Sequence, residues 1–255
     1  MNPTVDQKFY DALREGCGHG VRIGLIDTGV ETRHPDLAGK IAGNYEVVMD
    51  CEDGRVRRLV QGRDPNEHGT ACAHILSRLA PGAEIHSVRV IGDSPGDSPR
   101  KLVAGFRFAL DQGWDVINIS AGAGRPHAAL RELADRAWRE GRIVVAAKDN
   151  HPEETGYPAA YPNVLAVDME HFGDPLAIRY NGSQPVEVEA NGIYIEAARA
   201  SGGRHNYTGT SFAAPHVAAI AARLKERLPQ FDPELFREAL KELSERGQLH
   251  ACSDH

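Results

Sequence analysis

Three short polar clusters in this chain carry residue types that can act together on a carbonyl group. Asp27-Thr28-Gly29 follows the apolar run Val21 to Ile26, Glu67-His68-Gly69-Thr70 opens a helical apolar pattern, and Gly209-Thr210-Ser211-Phe212-Ala213-Ala214-Pro215-His216 opens another. A serine hydroxyl at its free pKa is a poor nucleophile: it needs a base to take its proton, and the base needs a group that orients it and stabilises its charged form. Ser211, His68 and Asp27 supply those three types. Each also has an ordinary explanation. An Asp before Gly is a common turn, one histidine among twelve is commonly a surface or satisfied core residue, and a Ser before a helix is a common N-cap. Position favours chemistry instead. A nucleophile at a helix N-terminus gains free backbone N–H groups and a favourable dipole for a developing oxyanion. Gly69 lets the backbone after His68 pack closely, and Pro215 is expected near the first turn of its helix, where a missing N–H costs least.

The elements that must position these clusters read as strands alternating with helices. Strands are expected at Val21–Ile26, near Ile85 to Ile91, at Val116–Ile119, at Ile143–Ala147 and at Val164–Val167. Helices are expected from His68 to about Leu79, near Lys101 to Gln112, over His127 to Glu140, and as a closing pair at Ser211 to Leu228 and Pro233 to Arg246. Parallel neighbours need crossover connections, so this alternation predicts an α/β fold, a mostly parallel central sheet with helices on both faces. The clusters then fall at the carboxyl ends of strands and the amino ends of helices, where open α/β sheets hold their sites. No repeat, low-complexity segment or linker divides the chain; a short extension at 1–20 is expected to precede one domain at 21–255. The charged stretch Cys51 to Pro65, with Arg63 and Asp64, reads as a solvated loop, and Gly92 to Pro99 as another.

Composition narrows the partners. Lys and Arg number 29 against 36 Asp and Glu, a net charge of -7, which argues against a nucleic-acid or anionic-membrane footprint. Met1 to Gly20 contains Asp6, Asp11, Arg14 and Glu15 and lacks the apolar core of a secretory signal, and no apolar run reaches the roughly 20 residues of a membrane span. Cys17, Cys51, Cys72 and Cys252 are few and scattered, so free thiols and a cytoplasmic location are expected.

Asp-Thr-Gly is also the signature of aspartic proteases, which need a second carboxylate to share a proton. Here it occurs once, and the helices argue against that competitor's all-β fold. A sedolisin-like serine-carboxyl protease would share a similar serine block but lack the His68 block. The runs Ile26-Asp27-Thr28-Gly29 with His34-Pro35-Asp36-Leu37, His68-Gly69-Thr70, and Gly209-Thr210-Ser211 with Ala214-Pro215-His216-Val217 resemble the three signature blocks of the subtilisin-like serine proteases. Their order, Asp then His then Ser, is the order of that family. The resemblance implies a serine endopeptidase that hydrolyses a peptide or protein substrate through an acyl-enzyme, with Asp27, His68 and Ser211 as its triad and neither metal nor organic cofactor. Ile143 to Asn150 resembles the family's oxyanion segment and implies that Asn150 donates to the oxyanion, with Asp149 standing where the family has Gly. Ser120-Ala121-Gly122 resembles the segment that pairs with extended substrate, and Gly156-Tyr157-Pro158 the floor of the first specificity pocket.

Several expectations come from departures. The chain runs from Ala73 straight through Leu79-Ala80-Pro81-Gly82 to the next strand, leaving no room for the calcium-binding loop of many relatives. Cys72 resembles a buried cysteine of the proteinase K-like and kexin-like branches and is expected to be a small core residue. His151, Glu153 and Glu154 lie in a short loop whose carboxylates would favour a basic residue before the cleaved bond. About 20 residues precede the first strand, too few for a folded inhibitory prodomain, so either the enzyme folds unaided or a regulatory partner or separate segment controls it. A cytoplasmic protease needs restricted substrates, which points by analogy to processing of a dedicated precursor. A rival from another class is a binding module that keeps the cleft without turnover, for which Lys148-Asp149 is the sequence hint.

Overall fold

Every residue of β1 (Arg22–Asp27) from Ile23 onward is buried. Ile23 and Leu25 pack into the apolar cluster on one face, while Ile26 belongs to the cluster on the other. A strand buried on both faces must lie inside a covered sheet. The computed structural model, which describes residues 5–50, 54–91, 98–151, 154–182, 185–228 and 230–251, puts β1 near the centre of nine strands ordered β3-β2-β4-β1-β5-β6-β7-β9-β8. These are β2 (Ile41–Val48), β3 (Arg55–Arg58), β4 (Glu84–Arg89), β5 (Val116–Ile119), β6 (Ile143–Ala147), β7 (Leu165–Glu170), β8 (Ile178–Tyr180) and β9 (Val188–Asn191). The two edge strands run antiparallel to their neighbours and the pairs between them are parallel. The α/β architecture is therefore the expected one.

Helices α1 (Val5–Glu15), α2 (His68–Leu79), α5 (Thr210–Arg227) and α6 (Pro233–Ala251) cover the face reached by Ile23 and Leu25. Helices α3 (Ser98–Asp111) and α4 (Ala128–Arg139) cover the face reached by Ile26. The axis of the first layer is α5, buried continuously from Thr210 to Ala222. Its many alanines let it approach β5, β6 and β7 closely while it also packs on α1 and α2. A hairpin of β10 (Ile195–Ala198) and β11 (Arg204–Tyr207) stands outside the main sheet. Among the described residues, no helix is long and apolar enough to cross a membrane.

Some elements differ from the sequence expectation. Within the first 20 residues lies α1, whose Phe9, Ala12 and Leu13 are buried in the core. Arg223 of α5 donates to Leu13 O (2.7 Å) and Arg14 O (3.1 Å), and Glu226 accepts the N–H groups of Cys17 (2.6 Å), Gly18 (2.6 Å) and His19 (3.0 Å). The free carbonyls at the end of α1 and the turn after it are thus satisfied by α5. The stretch read as a solvated loop contains β3, and its Asp64 is buried. Of the loop expected at Gly92 to Pro99, residues 92–97 lie outside the described residues, as do Cys51, Glu153 and Cys252, whereas Ser98 and Pro99 begin α3. Helix α2 is unbroken from His68 to Leu79, and residues 80–83 connect it to β4.

Candidate active site

Asp27 ends β1, Ser120 follows β5, Lys148 to Asn150 follow β6, and His68 and Ser211 open α2 and α5. All meet at the carboxyl edge of the sheet. Asp27 Oδ1 accepts from His68 Nδ1 at 2.7 Å, and His68 Nε2 lies 2.7 Å from Ser211 Oγ. With Nδ1–H donating to the carboxylate, Nε2 carries the lone pair that faces the serine hydroxyl. The Phe212 ring packs on the imidazole, centroids 4.9 Å apart, and fixes its other side.

Residues beside the triad set its geometry. Thr28 N–H donates to Asp27 Oδ1 (2.7 Å), and Thr28 Oγ1 accepts from Gly69 N–H (2.9 Å), so the turn after β1 is bonded to the first turn of α2. A Cβ on Gly69 would stand 2.1 Å from Gly29 O, so glycine is required for this approach. The buried Asp64 joins the same two elements. Its Oδ1 accepts from Thr28 Oγ1 (2.7 Å), and its Oδ2 accepts from Thr70 N–H (2.8 Å) and Thr70 Oγ1 (2.7 Å). Sequence reasoning missed this residue, because its Arg-rich neighbourhood gives no local sign of the threonines that bury it. Before His68, Glu67 adopts a left-handed backbone (φ 65°), which costs a non-glycine residue about 1 kcal/mol. Arg199 Nε (2.7 Å) and Ser201 N–H (3.3 Å), from the end and turn of the β10–β11 hairpin, hold its carboxylate.

On the serine side, Pro215 lies in the second turn of α5, not the first as expected. Its missing N–H frees the carbonyl four residues earlier, which is that of Ser211. Ser120 Oγ donates to this oxygen (3.2 Å), and so does Cys72 Sγ (3.4 Å). Cys72 is fully buried, as a small core residue would be, but its thiol also satisfies the carbonyl that Pro215 leaves open. Ser120 itself accepts from Asn118 Nδ2 (2.8 Å).

Asn150 is oriented by Thr210. Its Oδ1 accepts from Thr210 N–H (3.1 Å), while the one hydroxyl proton of Thr210 goes to Lys148 O (2.5 Å), which fixes the turn that carries Asn150. Only the amide oxygen can accept from a backbone N–H, so Nδ2 is turned to the cleft beside Ser211. The cleft, about 220 Å³, is bordered by Ser120, Gly122, Asp149, Asn150 and Gly156. Ala121 lies between its two neighbours, with its side chain packed on the α3 and α4 side. Gly156 has φ 71°, and a Cβ there would come within 3.5 Å of Asp149 Cβ, so both backbone and space favour glycine.

Electrostatics poise the triad. Burial disfavours charge on His68, but the Asp27 carboxylate outweighs it, and the imidazole pKa stands above its ordinary value. Burial likewise raises Asp27, yet the His68 charge and the bonds from His68 and Thr28 bring its pKa below the usual range. Burial pushes the Cys72 thiol up to about 11, so it is protonated at neutral pH and acts as a donor. Asp64 is raised by burial despite its hydrogen bonds. Among the described residues, Asp27, His68 and Cys72 are the group of three side chains able to converge on a metal ion. Each already has a bond to make within the site.

Comparison with known proteins agrees with this geometry. A sequence profile of the subtilase family (Peptidase_S8) matches residues 18–254. The chain is 33% identical to thermitase of Thermoactinomyces vulgaris over 218 residues, 81% of this chain and 75% of thermitase. It is 35% identical to a thermophilic serine proteinase of Bacillus sp. strain AK1 over 233 residues, 87% of this chain but 55% of that protein. The solved structure of sphericase superposes with a TM-score of 0.74 at 26% identity, covering 89% of this chain and 83% of sphericase.

Proposed function

This chain belongs to the subtilase family and is a subtilisin-like serine endopeptidase, and on that premise we propose that it cuts peptide bonds through an acyl-enzyme on Ser211. His68 Nε2 takes the Oγ proton as Oγ bonds to the carbonyl carbon, and the carbonyl π electrons move to oxygen. Asn150 Nδ2 and the Ser211 backbone N–H donate to that oxyanion. Collapse breaks the C–N bond, and the leaving amine takes the proton held by His68. A water molecule then attacks the acyl carbon, giving a proton to His68, and collapse breaks the bond to Oγ, releasing the acid as Ser211 Oγ takes that proton back. Asp27 holds the imidazole throughout. The substrate backbone lies along Ser120-Ala121-Gly122 as an added strand. The observation that carries this reading is the pair of 2.7 Å contacts joining Asp27, His68 and Ser211.

The test is reaction of the purified protein with a fluorophosphonate, read by intact mass beside the Ser211→Ala variant. One adduct on the wild type and none on the variant is expected. No adduct on folded wild-type protein would replace the reading with a binding module that does not turn over. The oxyanion assignment has its own check. Asn150→Ala is expected to lower kcat by roughly 10²–10³ with little change in KM, the size established for the equivalent amide of subtilisin. A loss confined to KM would remove Asn150 from the oxyanion site.

A further inference from the structure

The wall of the cleft beside Ser211 carries a carboxylate that pairs with no cation among the described residues. After β6 the chain folds back on itself: Asp149 N–H donates to Thr155 O (2.9 Å), and Ala123 and Tyr157 exchange two backbone hydrogen bonds of 2.8 Å each. Across this fold Gly156 has no side chain, so the Asp149 side chain bounds the space that a residue there would fill. Asp149 is exposed, and its Oδ1 accepts from His151 N–H (2.8 Å). It takes part in no ion pair among the described residues. The neighbouring cation is engaged elsewhere: Lys148 Nζ donates to Asp149 O (3.2 Å) and His151 O (3.4 Å) and lies 3.5 Å from Asp168 Oδ2. Its side chain is 10% exposed, and its charge is matched by Asp168. With Lys148 matched by Asp168, the cleft keeps the negative charge of Asp149.

An apolar side chain entering this space would strip water from the Asp149 carboxylate and return nothing for it, whereas an ammonium or guanidinium would pair with it. Ser120 and Thr155 add hydroxyl acceptors around the same space. We propose that Asp149 is a specificity-determining residue that selects Lys or Arg as the residue whose carbonyl Ser211 attacks. The inference rests on the serine-endopeptidase reading above and names the substrate class of that site.

Two measurements test it. The first compares kcat/KM for peptide anilides that differ only in the residue before the cleaved bond: Arg, Lys, Leu, Phe or Glu. Arg or Lys is expected to exceed Leu by about tenfold or more, and Asp149→Asn to bring the Arg-to-Leu ratio close to one. A wild-type ratio at or below one, or a ratio that Asp149→Asn leaves unchanged, overturns the proposal. The second is calorimetric binding of product peptides ending in Arg or Leu to the Ser211→Ala variant, which needs no turnover. Tighter binding of the Arg peptide, lost when Asp149→Asn is added, upholds the proposal, and equal binding overturns it. Failure of fluorophosphonate labelling would reject the catalytic reading alone, since product binding still decides the role of Asp149.

Discussion

Hydrolysis by His68→Ala is expected to be as slow as hydrolysis by Ser211→Ala, and the double variant no slower than either, each losing roughly 10⁶ in kcat, the size established for the subtilisin pair. Equality follows from the shared step. In the proposed mechanism the Ser211 hydroxyl is activated only while Nε2 accepts its proton across 2.7 Å, so removing either end removes the same event. An alternative group is the Cys72 sulfur, 3.9 Å from His68 Nδ1. It cannot substitute, because burial keeps it protonated and it donates to Ser211 O. What survives in all three variants is binding plus the proposed oxyanion donors, which sit on Asn150 and the backbone and do not depend on either side chain. The measurement is steady-state hydrolysis of one peptide by the wild type and the three variants, with thermal unfolding to verify that each is folded. A double variant slower than both single variants by a further large factor would mean that His68 and Ser211 act independently.

The parts of the site that were legible in sequence are those written locally. The apolar run before Asp27, the glycine after His68 and the small residues around Ser211 each mark a strand end or a helix start, and the structure joins all three. Strands β1, β5 and β6 were readable because burial on both faces makes them predominantly apolar, with Asn118 the polar residue inside β5. The edge pieces were not. β3 reads Arg-Val-Arg-Arg and β11 reads Arg-His-Asn-Tyr, and both owe their pairing to a neighbour strand, not to their own composition. α1 had a signal, Phe9 and Leu13 four residues apart on one face, but its partner surface on α5 lies about 210 residues away in the chain. Asp64 and Thr210 were missed for the same reason. Their roles consist of bonds to Thr28, Thr70 and Asn150, and spacing along the chain carries no trace of those bonds. Pro215 could have been read further, since a proline four residues after Ser211 in a helix necessarily frees the Ser211 carbonyl; which groups then occupy it, Ser120 and Cys72, required the fold.

Asp27 is expected to matter less than its two partners, by an amount that depends on the replacement. Its Oδ1 accepts from both Thr28 N–H and His68 Nδ1, each at 2.7 Å, while Oδ2 is buried and accepts no hydrogen bond from the described residues. In Asp27→Asn, the Thr28 N–H cannot face a side-chain NH2, so the amide oxygen stays where Oδ1 was. His68 then keeps Nδ1–H as its donor and Nε2 as its acceptor, and only the negative charge is lost. Unit charges about 4 Å apart at an effective dielectric near 20 interact by about 4 kcal/mol, so Asp27→Asn should lower kcat by roughly 10³. Asp27→Ala loses the charge and the orienting acceptor together, and the loss known for subtilisin, on the order of 10⁴, is the expected one. The pH profile separates the two causes. The carboxylate raises the His68 pKa in the wild type, and the neutral imidazole is the active form, so kcat/KM should climb with rising pH to a midpoint above the ordinary value of about 6.5. Without the charge, burial alone acts on the ring, and the midpoint of both variants should fall to about that value or below. Their deficit against the wild type is therefore largest at alkaline pH and narrows on acidification. Rate profiles of the three proteins on an uncharged peptide decide the matter. An unmoved midpoint in Asp27→Asn would reject the charge as the cause, and an Asn variant as slow as the Ala variant would mean that Thr28 does not hold the tautomer.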